Sequence, residues 1–128
     1  MWNKRVDYRK VKKVKCLKDH THRSQAEAQL CNHITAREKL GECQLIQIEA
    51  TVHLTRARIL YKPDFKIFDN KLQETVWEEM KGFKTQSWAM KRRLWKEGYG
   101  PGLLRVWYLG QSGIYLGEEI RPKNLKEE

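Results

Sequence analysis

The spacing of apolar and polar positions indicates a helix near the start of the chain. Over residues 24–40, apolar side chains recur at helical spacing. Ser24 stands three residues before Glu27, which forms a capping box, and Gly41 follows as a C-terminal stop. The pattern therefore predicts a first helix over residues 24–40.

The pattern after this helix changes to the alternation that is typical of strands. Residues 44–55 predict one strand or two. Residues 57–68 and 74–81 predict two more strands, which pair as a hairpin across a run of turn residues. Before the helix, residues 13–23 allow two short strands around a turn.

The last third of the chain predicts one more helix and at least one strand. A helix over residues 85–97 is followed by a strongly β-prone strand over 103–109, and 114–116 can add a short edge strand. One face of this helix carries Trp88, Lys91, Leu94 and Trp95. The order helix, three strands, helix, strand predicts an α/β fold in which helices flank a mixed central sheet.

The predicted hairpin brings three charged side chains together. If four residues form its turn, Asp64 lies opposite Glu79 with the Cβ atoms about 5 Å apart, and Lys81 shares their face. Two carboxylates this close repel unless a cation or a proton lies between them. Hard oxygen ligands favour Mg²⁺ or Mn²⁺. We therefore predict a metal site formed by Asp64, Glu79 and the backbone carbonyl of Met80, with Lys81 in an electrostatic role.

Each of these residues also has a purely structural interpretation. Asp64 after Pro63 can shape the entry to a strand, and Glu79 with Lys81 can form a solvated cross-strand face. Trp77 lies on the same face of its strand, however, so that face is not plainly exposed to solvent. The metal-site interpretation is therefore the more specific of the two hypotheses.

Glu27 is a candidate for a third carboxylate at this site. It lies one turn before the apolar positions of the first helix and so points toward the buried side. Its role in the capping box with Ser24 is the alternative, and one glutamate can serve both purposes.

The charge of the chain indicates a polyanionic partner. The 128 residues suit one domain and carry a formal net charge of +10. Residues 1–12 read as a basic arm, and a second basic cluster lies in the second predicted helix. The predicted phosphate contacts are Lys10, Lys12, Lys13, Lys84, Lys91, Arg92 and Arg93. A solubilising surface or an acidic protein partner is the alternative, and the tryptophans can stack on bases or belong to the core.

The cysteines and histidines leave a second metal site open. The cysteine count is odd and no CxxC spacing occurs, so reduced thiols fit better than a disulfide framework. His20 and His22 can form a zinc site with Cys31 or Cys43, although their spacing matches no common zinc motif.

No apolar run predicts a membrane span or a secretory signal, which favours a cytoplasmic location.

Four stretches of the chain, in this order, carry a resemblance to a known family. They are S-Q-A-E-A from Ser24, G-E at Gly41, Y-K-P-D-F from Tyr61, and E-E-M-K-G-F-K-T from Glu78. The chain resembles short phage-encoded proteins with a PD-(D/E)xK restriction-endonuclease-like core, over roughly residues 13–107. The resemblance implies that core, with the order αβββαβ, in a domain over residues 13–117. The residues that follow, 118–128, form a charged tail by their composition.

The resemblance also implies roles for individual residues. Asp64 and Glu79 match the metal ligands of the family, Lys81 its catalytic lysine, and Glu27 its helix-borne acid. Glu49 stands where relatives often have glutamine, and it is either a fourth carboxylate or a surface charge.

The function that these implications predict is a Mg²⁺-dependent DNA endonuclease. Similar small nucleases often dimerise and cut branched DNA such as Holliday junctions, so we expect a structure-selective homodimer, in the host bacterial cytoplasm if the protein is phage-encoded. The alternatives are a non-catalytic DNA-binding protein on the same core, an RNA nuclease, and a partner-binding phage protein.

Overall fold

The computed structural model describes residues 14–22, 24–55, 59–81 and 86–123. The predicted basic arm, which contains Lys10 and Lys12, lies outside these residues, as do Lys13 and Lys84.

The described residues form two main helices and a series of strands. These elements are β1 (Val14–Lys15), β2 (Thr21–His22), α1 (Gln25–Lys39), β3 (Cys43–Ile48), β4 (Val52–His53), β5 (Leu60–Tyr61), β6 (Phe65–Asp69), β7 (Glu74–Lys81), α2 (Gln86–Leu94), β8 (Leu103–Gly110) and β9 (Gly113–Ile120). A wider π-type turn over Trp95–Tyr99 continues α2 and contains Gly98 with a φ of 118°.

A five-stranded sheet organises the fold. Its strand order is β3-β6-β7-β8-β9, and two small two-stranded sheets pair β1 with β2 and β4 with β5. The pairs β3–β6, β6–β7 and β8–β9 are antiparallel, whereas β7 and β8 are parallel and are connected through α2. The prediction of an α/β fold with a mixed central sheet and flanking helices is confirmed.

The first helix follows the signals in its sequence. Ser24 caps α1, because its Oγ accepts a hydrogen bond from the backbone N–H of Glu27 at 3.1 Å. Gly41, with a φ of 75°, allows the chain to turn away after the helix. Buried side chains of α1 pack on the sheet against residues that include Phe65, Ile67, Val76 and Met80.

The predicted strand over residues 57–68 is wrong in one respect. Two strands, β5 and β6, take its place, and Lys62, Pro63 and Asp64 separate them. Proline has no N–H to donate to a strand ladder, which explains the break at this position. β5 pairs with β4 outside the main sheet, so Asp64 lies in the connection immediately before β6.

The edge strand near the end of the chain is longer than the predicted 114–116. β9 runs through Ile120, which is buried, and its register against β8 shifts once between Val106 and Trp107. The first three residues of the predicted charged tail, 118–128, therefore belong to the sheet.

The alternation along β7 sends neighbouring side chains to opposite layers of the core. Val76 and Met80 pack on the α1 side, and Trp77 packs on the α2 side with Trp88 and Trp95. All four tryptophans in the described ranges are buried, which supports a core role for them rather than base stacking.

A buried ion network ties the α1 layer to the sheet. Glu78 is fully buried, and its two oxygens accept hydrogen bonds from Arg37 at 2.8 and 2.6 Å. Arg105 of β8 contacts Glu78 at 3.2 Å and also reaches Asp69 at 2.9 Å and Glu119 at 3.0 Å. A buried carboxylate is tolerated because cations and hydrogen bonds compensate for its lost hydration.

We predict that Glu78→Gln destabilises the fold, because it leaves Arg37 and Arg105 partly buried without their counter-charge. The expected loss in the free energy of unfolding is about 3–5 kcal/mol. Urea unfolding measures this change. Glu119→Gln removes the exposed partner of the same Arg105 and should cost less than about 1 kcal/mol. Equal effects of the two substitutions would contradict the proposed importance of burial.

Candidate metal site

The register between β6 and β7 positions the candidate site. Phe65 pairs with Glu78, and the ladder continues to Asp69 opposite Glu74, so that residues 70–73 form the four-residue turn predicted from the sequence. Asp69 Oδ1 accepts hydrogen bonds from the N–H groups of Lys71 and Leu72, both at 2.9 Å, which stabilises this turn. One step beyond the ladder, Asp64 therefore meets Glu79.

The two carboxyl groups lie on the same side of the sheet and close together. Both residues are buried, and the proximity of Glu79 helps to raise the pKa of Asp64. Asp64 Oδ2 also accepts a hydrogen bond from the N–H of Met80 at 2.8 Å, and the Asp64 carbonyl accepts one from Glu49 at 3.0 Å. These contacts hold Asp64 from both neighbouring strands.

The backbone of Met80 points toward this pair. In a strand, the N–H and C=O of one residue point toward the same neighbour. Because the Met80 N–H donates to Asp64, the Met80 carbonyl also faces the Asp64 side, beyond the first residue of β6. Its side chain packs in the α1 layer, so the backbone oxygen is what Met80 can offer to a cation.

Tyr61 belongs to the site and was missed by the sequence analysis. Its hydroxyl donates a hydrogen bond to Glu79 Oε1 at 2.7 Å, and its ring lies against Trp88 and Trp95. The approach of Tyr61 to Glu79 depends on the break between β5 and β6, which the hydrophobic pattern does not predict. The signal available in the sequence was the tyrosine three residues before Asp64 in Y-K-P-D-F.

Two lysines lie beside the carboxyl pair. The Nζ of Lys81 is 3.7 Å from Glu79 Oε2 and 4.4 Å from the centre of the Trp88 ring. The Nζ of Lys91 lies 5.8 Å from the centre of the Tyr61 ring. Helix α2 thus supplies both an aromatic surface under Lys81 and a second cation near the site.

Burial and the neighbouring carboxyl give Asp64 an unusual affinity for protons. Desolvation, followed by repulsion from Glu79 and their shared hydrogen bond, raises the pKa of Asp64 to about 9, although the Met80 N–H and Lys81 act in the opposite direction. Burial, together with Glu79, also raises the pKa of Tyr61, so its hydroxyl remains a donor. A proton between the carboxyls at neutral pH occupies the position that a divalent cation can take.

Of the two other candidate carboxylates, Glu49 lies beside Asp64, because its N–H donates to the Asp64 carbonyl, and Glu27 lies in the first turn of α1. Glu27 is half-buried, and its N–H makes the predicted capping bond. Glu49 follows β3 with a φ of 56° and is exposed. A role for either carboxylate at the metal remains a prediction.

The predicted phosphate contacts on α2 differ in their surroundings. Arg92 makes a two-pronged contact with Glu118 of β9, through its Nε at 2.9 Å and through Nη2. Arg93 is exposed, and Lys91 is half-buried near Tyr61. Arg92 would have to break its contact with Glu118 in order to bind a phosphate, whereas the side chain of Arg93 is already accessible to solvent.

Comparison with protein-family models, with curated proteins and with solved structures finds no match for the chain. Within the described ranges, neither helix combines the length and the apolar character needed to cross a membrane.

We predict that, without divalent metal, the free energy of unfolding falls as the pH rises from about 4 to 9. Asp64 keeps its proton in the folded protein while the unfolded chain has lost it, so the free energy of unfolding falls by at most on the order of 1 kcal/mol per pH unit in this window. Asp64→Asn cannot ionise and should flatten this dependence. Urea unfolding of both chains at several pH values measures the difference, and parallel pH curves would show that Asp64 ionises normally.

We predict that Tyr61→Phe weakens metal binding at the carboxyl pair by about 10–100-fold, because Glu79 loses the donor that orients it. Calorimetric titration with Mn²⁺ measures the affinity. Tyr115→Phe, on the exposed strand β9, is the matched control and should bind Mn²⁺ like the unaltered chain. Unchanged affinity in Tyr61→Phe would remove this residue from the site.

Proposed function

We propose that the chain is a Mg²⁺- or Mn²⁺-dependent endonuclease that hydrolyses phosphodiester bonds in DNA. The observation that carries this proposal is the buried Asp64–Glu79 pair with Lys81 Nζ at 3.7 Å from Glu79. Such a pair is costly in a folded core unless it binds a cation or a proton, and clusters with this property are common at functional sites.

The donor set fits a hard divalent cation. Asp64, Glu79 and the Met80 carbonyl offer oxygen atoms only, and Mg²⁺ and Mn²⁺ prefer such ligands. Tyr61 and the Met80 N–H hold the two carboxylates in place and leave further lone pairs on both groups for a cation.

The order of elements supports a finer assignment of the fold. The succession α1, β3, β6, β7, α2, β8 places three antiparallel strands before a helical crossover to a parallel fourth strand. This is the αβββαβ order of the restriction-endonuclease-like core that the sequence resembles. We infer that the chain has this core, with β4 and β5 inserted before β6 and with β9 added at the edge.

Each residue of the site has a definable part in hydrolysis. When bound, Mg²⁺ supplies the charge that polarises a phosphodiester and lowers the pKa of a coordinated water. Asp64, Glu79 and the Met80 carbonyl would hold the cation, and the Met80 N–H and the Tyr61 hydroxyl fix the orientation of the two carboxyl groups. Lys81 lies where its ammonium group can stabilise negative charge that develops on the phosphoryl oxygens.

The charge of the protein supports nucleic acid as the substrate. A net charge of +10 attracts a polyanion, and Arg93 and Lys91 lie on the helix next to the site. The preference for branched DNA, the homodimer and the location in a host bacterial cytoplasm rest on the resemblance alone.

A cleavage assay with defined DNA structures tests the proposal. Linear, nicked, forked and four-way DNA are incubated with the protein in Mg²⁺ and in EDTA. We predict metal-dependent products from the unaltered chain, and a loss of at least about 100-fold in rate for Asp64→Asn, Glu79→Gln and Lys81→Ala, with DNA binding retained. The charge-matched controls Glu97→Gln and Lys39→Ala, both exposed, should cleave normally.

Other outcomes identify the rival functions. Salt-dependent binding without cleavage in Mg²⁺ or Mn²⁺ indicates a non-catalytic DNA-binding protein, for which the logarithm of affinity falls by about 0.9 per neutralised phosphate against the logarithm of salt. Cleavage of RNA alone indicates a ribonuclease. Normal cleavage by Asp64→Asn would exclude the proposed site.

A further inference from the structure

Four potential metal ligands gather at the N-terminal hairpin, apart from the carboxyl pair. Cys16 follows β1, His20 and His22 lie before and in β2, and Cys31 lies on α1. One ligand atom from each lies within 4.8 Å of all the others. The spacing C-x3-H-x-H-x8-C matches no common zinc motif, because the four residues come from a hairpin and a helix.

The distances are close to those of a tetrahedral zinc centre. Zinc bonds of about 2.3 Å to sulfur and about 2.0–2.1 Å to nitrogen place neighbouring ligand atoms about 3.3–3.8 Å apart. His20 Nδ1 lies 3.4 Å from Cys31 Sγ, and all four ligand atoms lie within 4.8 Å of one another. Small rotations of the side chains would bring the remaining distances into this range.

The surroundings of His22 are an independent indication that these side chains bind a metal ion. The residue is 3% exposed, and its Nε2 is buried without a hydrogen-bond partner among the described residues. Buried polar nitrogens are nearly always satisfied, since an unsatisfied one costs free energy on the order of 1–3 kcal/mol. A metal ion bound by this nitrogen would remove the cost.

Apart from the four candidate ligands, the described contacts of the hairpin with the rest of the fold include an ion pair of Lys18 with Glu38 on α1 and packing of Val14 on the core. β1 and β2 have two residues each, and a hairpin of this size is at best marginally stable. Leu17 donates from its backbone to Asn32 on α1 at 2.7 Å, and the His22 ring packs against Phe65, the first residue of β6. A cross-link through the four ligands would join the hairpin to α1 beside the start of β6.

We propose that Cys16, His20, His22 and Cys31 bind one Zn²⁺ ion and that this ion fastens the N-terminal hairpin to α1. Two sulfur and two nitrogen ligands form a complete tetrahedral set, which is typical of a structural site that leaves no position for substrate. These soft ligands favour zinc over Mg²⁺, so this centre is chemically separate from Asp64 and Glu79. Of the two cysteines considered in the sequence, Cys31 joins the cluster, whereas Cys43 lies near the end of α1 and contacts Ile34.

Metal analysis of the purified full chain tests the inference. The protein is produced with zinc in the medium and purified without chelator, and its metal content and zinc X-ray absorption spectrum are measured. We expect about one zinc ion per chain, coordinated by two sulfur and two nitrogen atoms. Cys31→Ser should lower the zinc affinity by more than about 100-fold, since even residues outside the ligand set contribute about 10–100-fold.

Cys43→Ser is the matched control, because it changes a buried cysteine outside the cluster. It should retain zinc. If Cys31→Ser does not fold, His20→Asn replaces a less buried ligand, and the spectrum of the unaltered protein still decides the question.

Two outcomes would overturn the inference. One is a protein without stoichiometric zinc whose thermal stability does not increase when zinc is added. The other is a Cys16–Cys31 disulfide detected by mass spectrometry of protein purified without oxidant. Neither outcome depends on DNA cleavage, so failure of this proposal and failure of the proposed nuclease function are distinguishable.

Discussion

The antiparallel register between β6 and β7 is the constraint on which the rest of the structure depends. It sets Phe65 opposite Glu78, and the next step brings Asp64 to Glu79. Because side chains alternate along a strand, the same register sends Glu78 into the α1 layer and Glu79 into the α2 layer. Slippage by one residue would exchange the two layers for every side chain of β7.

The two neighbouring glutamates show how surroundings decide the behaviour of a charge. Glu78 lies between the guanidinium groups of Arg37 and Arg105, so the protein itself supplies its counter-charge. Glu79 meets another carboxyl, a phenol hydroxyl and one lysine at longer range. The charge of Glu78 is therefore neutralised within the protein. The negative charge around Glu79 is not fully neutralised, and a cation from solution can compensate for it.

Much of the fold and the centre of the site could be predicted from sequence, because they depend on local signals. The N-cap of α1, the alternation in β7 and the length of the hairpin turn are local, and the structure has the predicted four-residue turn over residues 70–73. The roles of Asp64, Glu79 and Lys81 stay predictions. Features that depend on distant contacts were missed. The break at Pro63 brings Tyr61 to Glu79, and Arg37 meets Glu78 across forty-one positions of the chain. The gathering of cysteines and histidines likewise requires the packing of the hairpin on α1.

The separation of Glu78 from Glu79 has a consequence for how this protein could evolve. The residues that secure the scaffold on one side of β7 are different from those that offer ligands on the other. Substitutions at Asp64 or Glu79 would therefore leave the ion pairs of Glu78 with Arg37 and Arg105 in place. A descendant that lost the acidic pair but retained the arginine-bound glutamate would keep the scaffold without the candidate site.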